Sequence, residues 1–306
     1  MSVQTFELLI LGSSAATPTA NRNPTAQLLN IAERFFLIDC GEGTQMQMRK
    51  YKARFQNVNH IFISHLHGDH FYGLPGFLAS MHLLGRKNEL TIYGPKELEE
   101  IIHIIHKHSD TYLNYPLKFI YTQNSTKQLV YEDDKVEVYS LPLKHRIATT
   151  GYLFKEKPLP RNIDKYKLEK LNVSFAEIHK LKQGMDAIDN NGNTIKNRDL
   201  TMDPPNPRSY AFCSDTKFFE ELANDIKDVD LLYHESTFLE EMKDRAKQTF
   251  HSTAKQAAQI AMLSNAKKLL LGHFSARYGN LDEFLEESKN IFLNTELAIE
   301  GSQFSL

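Results

Sequence analysis

The sequence predicts an α/β protein in which mixed β-sheets are covered by helices. Three observations carry that prediction. Short apolar runs of four to eight residues recur along the chain, many ending at Gly, His or Asp, and such runs read as strands buried on both faces. Stretches with helical spacing lie between them, and strands alternating with helices argue for the α/β class. In the middle of the chain, "QLVYEDDKVEVYSLPLKH" and "TTGYLFKE" instead follow one another as successive strands with turns. That arrangement suits mixed sheets better than a doubly wound parallel one.

The first strand is "FELLILG". The N-terminal stretch "MSVQTFELLILG" lacks a basic n-region and carries Glu7, so it reads as a strand rather than a signal peptide. "RFFLIDCG", "HIFISH" and "LTIYGP" follow as further strands, and "KELEEIIHIIHKH" has helical spacing. After the middle strands, residues 155–208 break the rhythm. They hold basic residues, several prolines and "DNNGNT", and "DPPNPRS" closes them before the strand "SYAFCSD". Their apolar periodicity is modest. They are expected to form a flexible arm inserted in a single domain spanning 1–306, not a second core. "KFFEELANDI" and "STAKQAAQIAMLSNA" return to helical spacing, interleaved with the strands "VDLLYHES" and "KKLLLGHFS". No repeat of solenoid period is visible.

A length of 306 residues allows one large α/β domain or two small ones. With 41% hydrophobic and 24% charged residues the composition is that of a soluble globular protein. No run approaches the ~18 continuous apolar residues of a membrane span. Cys40 and Cys213 are too few for a disulfide framework, so a reduced, cytoplasmic setting is expected. Both sit beside an aspartate, where small apolar filling accounts for them. The formal net charge of −2 offers no global basic field. Any RNA-binding surface must therefore be local. Residues 155–182 qualify, with eight Lys/Arg against four Asp/Glu, although a solvated surface segment explains the same charge.

"HIFISHLHGDHFYGLPGF" (60–77) packs His65, His67, Asp69 and His70 into six positions directly after an apolar run. Side chains at a strand end and the following turn can converge on one point. Imidazole suits zinc, and carboxylate can bridge or cap a second ion. Four ligands are too few for two metals, and three further candidates also stand at strand ends. His145 follows "VYSLPLK", Asp215 ends "SYAFCSD" and His273 follows "KKLLLG". Each alone is an ordinary strand-terminal polar residue. Together they occupy the edge to which a sheet delivers ligands, which favours a dinuclear site.

Joined to the other motifs, this pattern resembles the metallo-β-lactamase superfamily and, more narrowly, the short-form ribonuclease Z family of tRNA 3′-processing endonucleases. The motifs are "LGSSAATPTANRNPTAQLL", "FLIDCGEGTQMQ", "SHLHGDHFYGLPG", "HEST" with "HST" downstream, the insertion, and "GHFSARY". Their joint order covers almost the whole chain. The resemblance implies a four-layer αβ/βα sandwich with two Zn2+ per subunit. His65, His67 and His145 would hold one ion, Asp69, His70 and His273 the other, and Asp215 would bridge them. Asp39 matches a position that supports the site through hydrogen bonds, and a strand-end turn former is an equal reading. His251, oriented by Glu235, is implied as proton donor to the leaving oxygen, and Asp69 as both ligand and proton acceptor. The implied reaction hydrolyses the phosphodiester 3′ of the discriminator base of precursor tRNA. It leaves a 3′-hydroxyl on the tRNA and a 5′-phosphate on the trailer.

The insertion corresponds to the family's tRNA-gripping exosite, where Lys165, Lys167, Lys170, Lys180 and Lys182 would make salt-dependent phosphate contacts. The Gly-Pro-rich tip of many members is not evident; "LNVSFAEIHKLKQG" stands in its place. "PTANRN" resembles the loop near the acceptor end, where Arg22 and Asn23 would help position RNA. The family is typically homodimeric, the arm of one subunit serving the site of the other; without a long apolar run, no membrane partner is expected. His103 and His106 share a helical face but read as surface histidines; His82 reads as packing, and His234 receives no catalytic role. Two other functions compete. One is a hydrolase of a small thioester, lactam or cyclic phosphodiester on the same fold. The other is an RNA-binding module with structural metal, against which an open dinuclear ligand set speaks.

Overall fold

A computed structural model describes residues 4–171 and 173–306. Met1–Val3, at the start of the expected first strand, and Asn172, within the arm, lie outside the described residues. The chain divides into two compact units, Met1–Lys155 with Arg208–Leu306, and Glu156–Pro207.

The larger unit is two seven-stranded sheets with helices outside. The first sheet runs from edge to edge as Gln303–Ser305, Phe6–Gly12, Ala26–Ile31, Arg34–Ile38, Val58–Phe62, Leu90–Gly94 and Leu117–Tyr121. The second runs as Thr295–Leu297, Lys268–Gly272, Leu231–Glu235, Ser209–Cys213, Thr149–Glu156, Val136–Leu143 and Gln128–Glu132. Both are mixed. Arg34–Ile38 pairs antiparallel with Ala26–Ile31 but parallel with Val58–Phe62. Ser209–Cys213 likewise joins an antiparallel neighbour to a parallel one.

Side chains alternate across a strand, so an unbroken apolar run supplies two cores at once. Phe6, Leu8, Ile10, Phe36, Ile38 and Phe62 of the first sheet meet Tyr152, Phe154, Tyr210, Phe212 and Tyr233 of the second between the sheets. The alternate residues Leu9, Leu11, Leu37 and Ile61 face outward, against Met48, Phe77, Leu78 and Leu98 of the flanking helices. Ala211, Leu232, Leu269 and Leu271 do the same against Ala257, Ala261 and Phe284 on the far side. Helix, sheet, sheet and helix make the expected four layers.

Within Glu156–Pro207 the helices Lys165–Leu168 and Phe175–Lys182 accompany short strand pairs. The sequence suggested no core here. Leu181, Ala187 and Leu200 are nonetheless buried, with Ile163, Leu168, Leu171, Val173 and Ile195 packed against them. "KFFEELANDI" is helical only over Leu222–Asp225. The preceding residues are tied to Lys144 instead: Lys217 N–H donates to the Lys144 carbonyl (2.9 Å), and the Lys144 ammonium lies 4.2 Å from the Phe219 ring centroid.

Candidate metal centre

The site sits where strands end. His65 and His70 follow Val58–Phe62, His145 follows Val136–Leu143, Asp215 follows Ser209–Cys213, and His273 follows Lys268–Gly272. Carboxyl ends of parallel strands are where α/β sheets present chemistry. His67 is the N-cap of the short helix Gly68–Phe71, which turns Asp69 and His70 back toward the strand ends. Gly272, just before His273, leaves room for the Tyr233 ring, which a Cβ there would meet at 2.3 Å. His273 itself has φ 59°, a strained backbone of the kind that clusters at functional sites.

Seven expected ligands form two adjoining clusters, His65–His67–His145–Asp215 and Asp69–His70–His273. The Asp215 carboxylate divides between them. Its Oδ2 is 3.5 Å from His65 Nε2 and 3.7 Å from His145 Nε2. Its Oδ1 is 3.3 Å from His70 Nε2 and 3.1 Å from His273 Nε2. Asp69 Oδ2 completes the second cluster at 3.3 Å from His70 Nε2 and 3.5 Å from His273 Nε2. His67 differs from the others in turning Nδ1 inward, 2.9 Å from His65 Nε2 and 3.4 Å from His145 Nε2.

An outer ring of hydrogen bonds fixes the tautomers. His70 Nδ1–H donates to Asp39 (2.7 Å), which also accepts from the Ser64 N–H (2.7 Å) and hydroxyl (2.9 Å). His65 Nδ1–H donates to Ser64 Oγ (3.0 Å), and His145 Nδ1–H to the Phe250 carbonyl (2.9 Å). His273 Nδ1–H donates to Thr237 Oγ1 (2.9 Å), whose hydroxyl donates to Glu235 Oε2 (2.7 Å). Each Nε2 therefore turns a lone pair into the cavity. Asp39 is both a turn residue, with φ 55°, and a support for the site.

These donors fit a metal. Among the described residues no well-formed hydrogen bond reaches the buried Nε2 atoms of His70 and His273, although carboxylate oxygens lie 3.1–3.3 Å away. This state is costly unless a cation accepts their lone pairs. Burial pushes His65 well below the usual imidazole range and His67 to about 4, and it lowers His145, so these rings are neutral. Burial opposes ionisation of Asp69 and Asp215, yet the surrounding histidines hold both carboxyls below their usual range. Burial would lower His70, but Asp69, Asp215 and Asp39 hold it well above its usual range, so this ring gives up its Nε2 proton when a cation binds. Neutral imidazoles and ionised carboxylates are what a borderline divalent ion takes.

Beside the clusters, His251 Nδ1–H donates to Glu235 Oε1 (2.8 Å). Glu235 is fully buried and also accepts from the Thr216 and Thr237 N–H groups, each at 3.0 Å. Burial would lower His251, but the Glu235 charge raises it to about 9. A nitrogen of His251 lies within 4.8 Å of donor atoms of Asp215 and His273.

Other expected residues fall elsewhere. Arg22 is buried, and its guanidinium donates to the Ser275 (3.2 Å) and Tyr278 (2.8 Å) carbonyls, so it braces that loop instead of reaching outward. Asn23 serves through its backbone, its carbonyl accepting from Ser13 and Ser14 N–H. Lys165, Lys167, Lys170, Lys180 and Lys182 are all exposed, Lys180 pairing with Glu177 (2.5 Å) and Lys167 bonding the Asp199 carbonyl (3.0 Å). His103 packs edge-on to Phe119, His82 accepts from the Asn114 N–H, and His234 is buried in its strand. Sequence reasoning passed over Ser64 and Thr237, both inside quoted motifs. It also passed over the Ala16 N–H, which donates to Asp69 Oδ2 (2.7 Å).

Known proteins resemble this chain over nearly its whole length. Residues 6–295 match the family described as anti-Pycsar protein Apyc1. A protein of Cytophaga hutchinsonii named ribonuclease Z is 51% identical over 300 residues, covering 98% of this chain and 96% of that one. A ribonuclease Z of Porphyromonas gingivalis is 44% identical over 301 residues, covering 98% and 99%. The crystal structure of human tRNase Z, short form, superposes with a TM-score of 0.71 at 26% identity and 98% coverage of both chains. The metallo-β-lactamase fold protein YhfI from Bacillus subtilis gives 0.70 at 18% identity over 99% of this chain and 100% of that one, a likeness of fold alone.

Proposed function

We infer, from the premise that this chain belongs to the ribonuclease Z family and to the family described as anti-Pycsar protein Apyc1, that it is a metal-dependent endoribonuclease removing the 3′ trailer from precursor tRNA. The observation that carries this reading is the 51% identity to a ribonuclease Z over almost the entire length.

We assign the metal as zinc, two ions per chain. His65, His67 and His145 would hold one, Asp69, His70 and His273 the other, and Asp215 would be shared between them. Bound there, the ions would supply a nucleophile from water at neutral pH and neutralise charge on the phosphoryl oxygens. The chain's own residues do the rest. Asp69, tied down by the Ala16 N–H, orients the attacking water and takes its proton. His251 carries a proton at neutral pH, and Glu235 fixes its Nδ1. It delivers that proton from Nε2 to the departing 3′-oxygen. The products are a tRNA 3′-hydroxyl and a trailer 5′-phosphate.

Residues 155–208 serve as the tRNA exosite, with the exposed Lys165, Lys170 and Lys182 as its phosphate contacts. The working form is a homodimer in the cytoplasm. Leu83 and Met46, 81% and 71% exposed on neighbouring helices joined by a Ser80–Gln45 hydrogen bond, support a contact there. Among the described residues no helix is long and apolar enough to cross a membrane.

A second reading, hydrolysis of a small phosphodiester, draws on the match over residues 6–295 to a family named for a different protein. Fold does not fix substrate. Cleavage of 3′-extended precursor tRNA, set beside bis-p-nitrophenyl phosphate with metal content measured, separates the two. Activity confined to the small ester rejects the tRNA assignment, and fewer than two equivalents of zinc rejects the dinuclear one.

A further inference from the structure

The cavity over the donor clusters, about 520 Å³, is lined by side chains that the chemistry above leaves unused. Arg146, Arg245 and Arg277 all border it, and all three are exposed. Among the described residues none of them pairs with a carboxylate, unlike Arg34, which bonds Asp133 and Asp134. Arg146 follows His145 and lies with Nε 3.1 Å from His67 Nε2. Arg245 projects from the helix Lys243–Thr249, whose C-cap Phe250 holds His145. Arg277 is propped 5.2 Å from the Phe238 ring centroid. Glu42, Asp69 and Asp215 also line the cavity, but among the described residues none of them pairs with these guanidiniums. Asp69 and Asp215 are engaged by the histidines, so the three cations stay available to the phosphates of a polyanion.

Tyr72 borders the same cavity at 67% exposure. Its ring lies over Gly68, where a Cβ would come within 2.2 Å of it. Gly68 thus leaves room for a large aromatic face beside the metal donors. Cations interleaved with an exposed aromatic ring are the signature of single-stranded nucleic acid binding, phosphates on the cations and a base on the ring. A small phosphodiester has one phosphate, which the metal donors already serve, and gives these groups no partner.

We propose that Arg146, Arg245 and Tyr72 form a subsite for the unpaired nucleotides flanking the cut, the guanidiniums binding the phosphates next to the scissile one and Tyr72 stacking on a base. The subsite rests on the RNA reading above and states how the RNA strand is held at the site.

The test compares Arg146→Ala, Arg245→Ala, their Lys counterparts, Tyr72→Ala and Tyr72→Phe in the metal-loaded protein. Each Arg→Ala should raise KM for precursor tRNA about tenfold. Each should also flatten the dependence of log(kcat/KM) on log[salt] by about 0.7 per lost phosphate contact. The Lys variants, which keep the charge, should keep the slope. Tyr72→Ala should raise KM about tenfold with the slope intact, and Tyr72→Phe should restore it. In every Ala variant the loss on bis-p-nitrophenyl phosphate should be far smaller. Equal losses on both substrates, or an unchanged salt slope in the Arg146→Ala/Arg245→Ala double variant, overturn the subsite while the tRNA reading stands. A parent protein that leaves precursor tRNA uncut overturns both.

Discussion

His251 shows what one residue gains from its surroundings. Two backbone N–H groups hold Glu235 in place, and among the described residues its one ion pair is with this imidazole, on which its largest effect falls. A group held protonated matters most when the leaving oxygen is a poor leaving group. His251→Ala should therefore lower kcat on precursor tRNA by about 100- to 10,000-fold. It should leave bis-p-nitrophenyl phosphate, whose nitrophenolate departs unprotonated, much less affected; equal losses would show that the variant harms the metal donors. Asp39 acts one bond further out, through His70. Asp39→Asn should weaken metal affinity by about 10- to 100-fold in a chelator competition, and an unchanged affinity would reduce Asp39 to a turn former. At this scale the sequence was legible where spacing sets position and silent where orientation decides. His65, His67, Asp69 and His70 declared themselves by spacing. Arg22 did not, because only the fold reveals that its guanidinium turns inward to two carbonyls.

At the scale of elements, the buried strands were readable because a run such as "FELLILG" serves two cores at once. "AQLLNI" was overlooked, its Gln and Asn breaking the apolar run, although Gln27 is buried against Tyr210 as the strand Ala26–Ile31. "KFFEELANDI" had helical spacing, but Lys217 is tethered to Lys144 and the helix begins only at Leu222. Val58–Phe62 carries a further consequence. His60 lies on it among Tyr131, Phe36 and Tyr93, with ring centroids 4.6, 5.7 and 6.0 Å away. Burial pushes it from 6.5 to about 4. Between those values the unfolded chain binds a proton that the folded chain refuses, so stability falls as pH drops through that window and is insensitive to His60 above it. His60→Phe should flatten this part of the acid limb in urea unfolding, and an unaltered slope would mean that the ring is already solvated. The arm belongs to the same scale. Deleting about 160–200 should impair cleavage of precursor tRNA far more than that of the small ester, whereas equal losses would assign residues 155–208 a folding role.

The whole molecule is two sheets whose strand ends meet at one point. The first sheet brings His65 and, through the helix Gly68–Phe71, Asp69 and His70; the second brings His145, Asp215 and His273. This junction gathers the neutral rings of His65, His67 and His145 with His70, which the buried carboxylates hold well above its usual range. Among the described residues the Nε2 atoms of His70 and His273 lack a well-formed hydrogen bond. A metal held there is bound by the folded chain and not by the unfolded one, and at a free concentration of 100 Kd this linkage is worth about 2.7 kcal/mol per site. Chelation should accordingly lower Tm by several degrees, and added zinc should restore it. Asp215→Ala separates a junction from a local clip, because Asp215 alone gives an oxygen to each cluster. If the centre joins the sheets, the variant should lose most of the zinc-dependent rise in Tm. Chelation of the parent should then also speed amide exchange after strands of both sheets, at residues 63–70 and at 213–216 and 272–274. Faster exchange confined to 63–70, with the Tm rise intact in Asp215→Ala, would show that one sheet holds the metal unaided and that the sandwich does not depend on it.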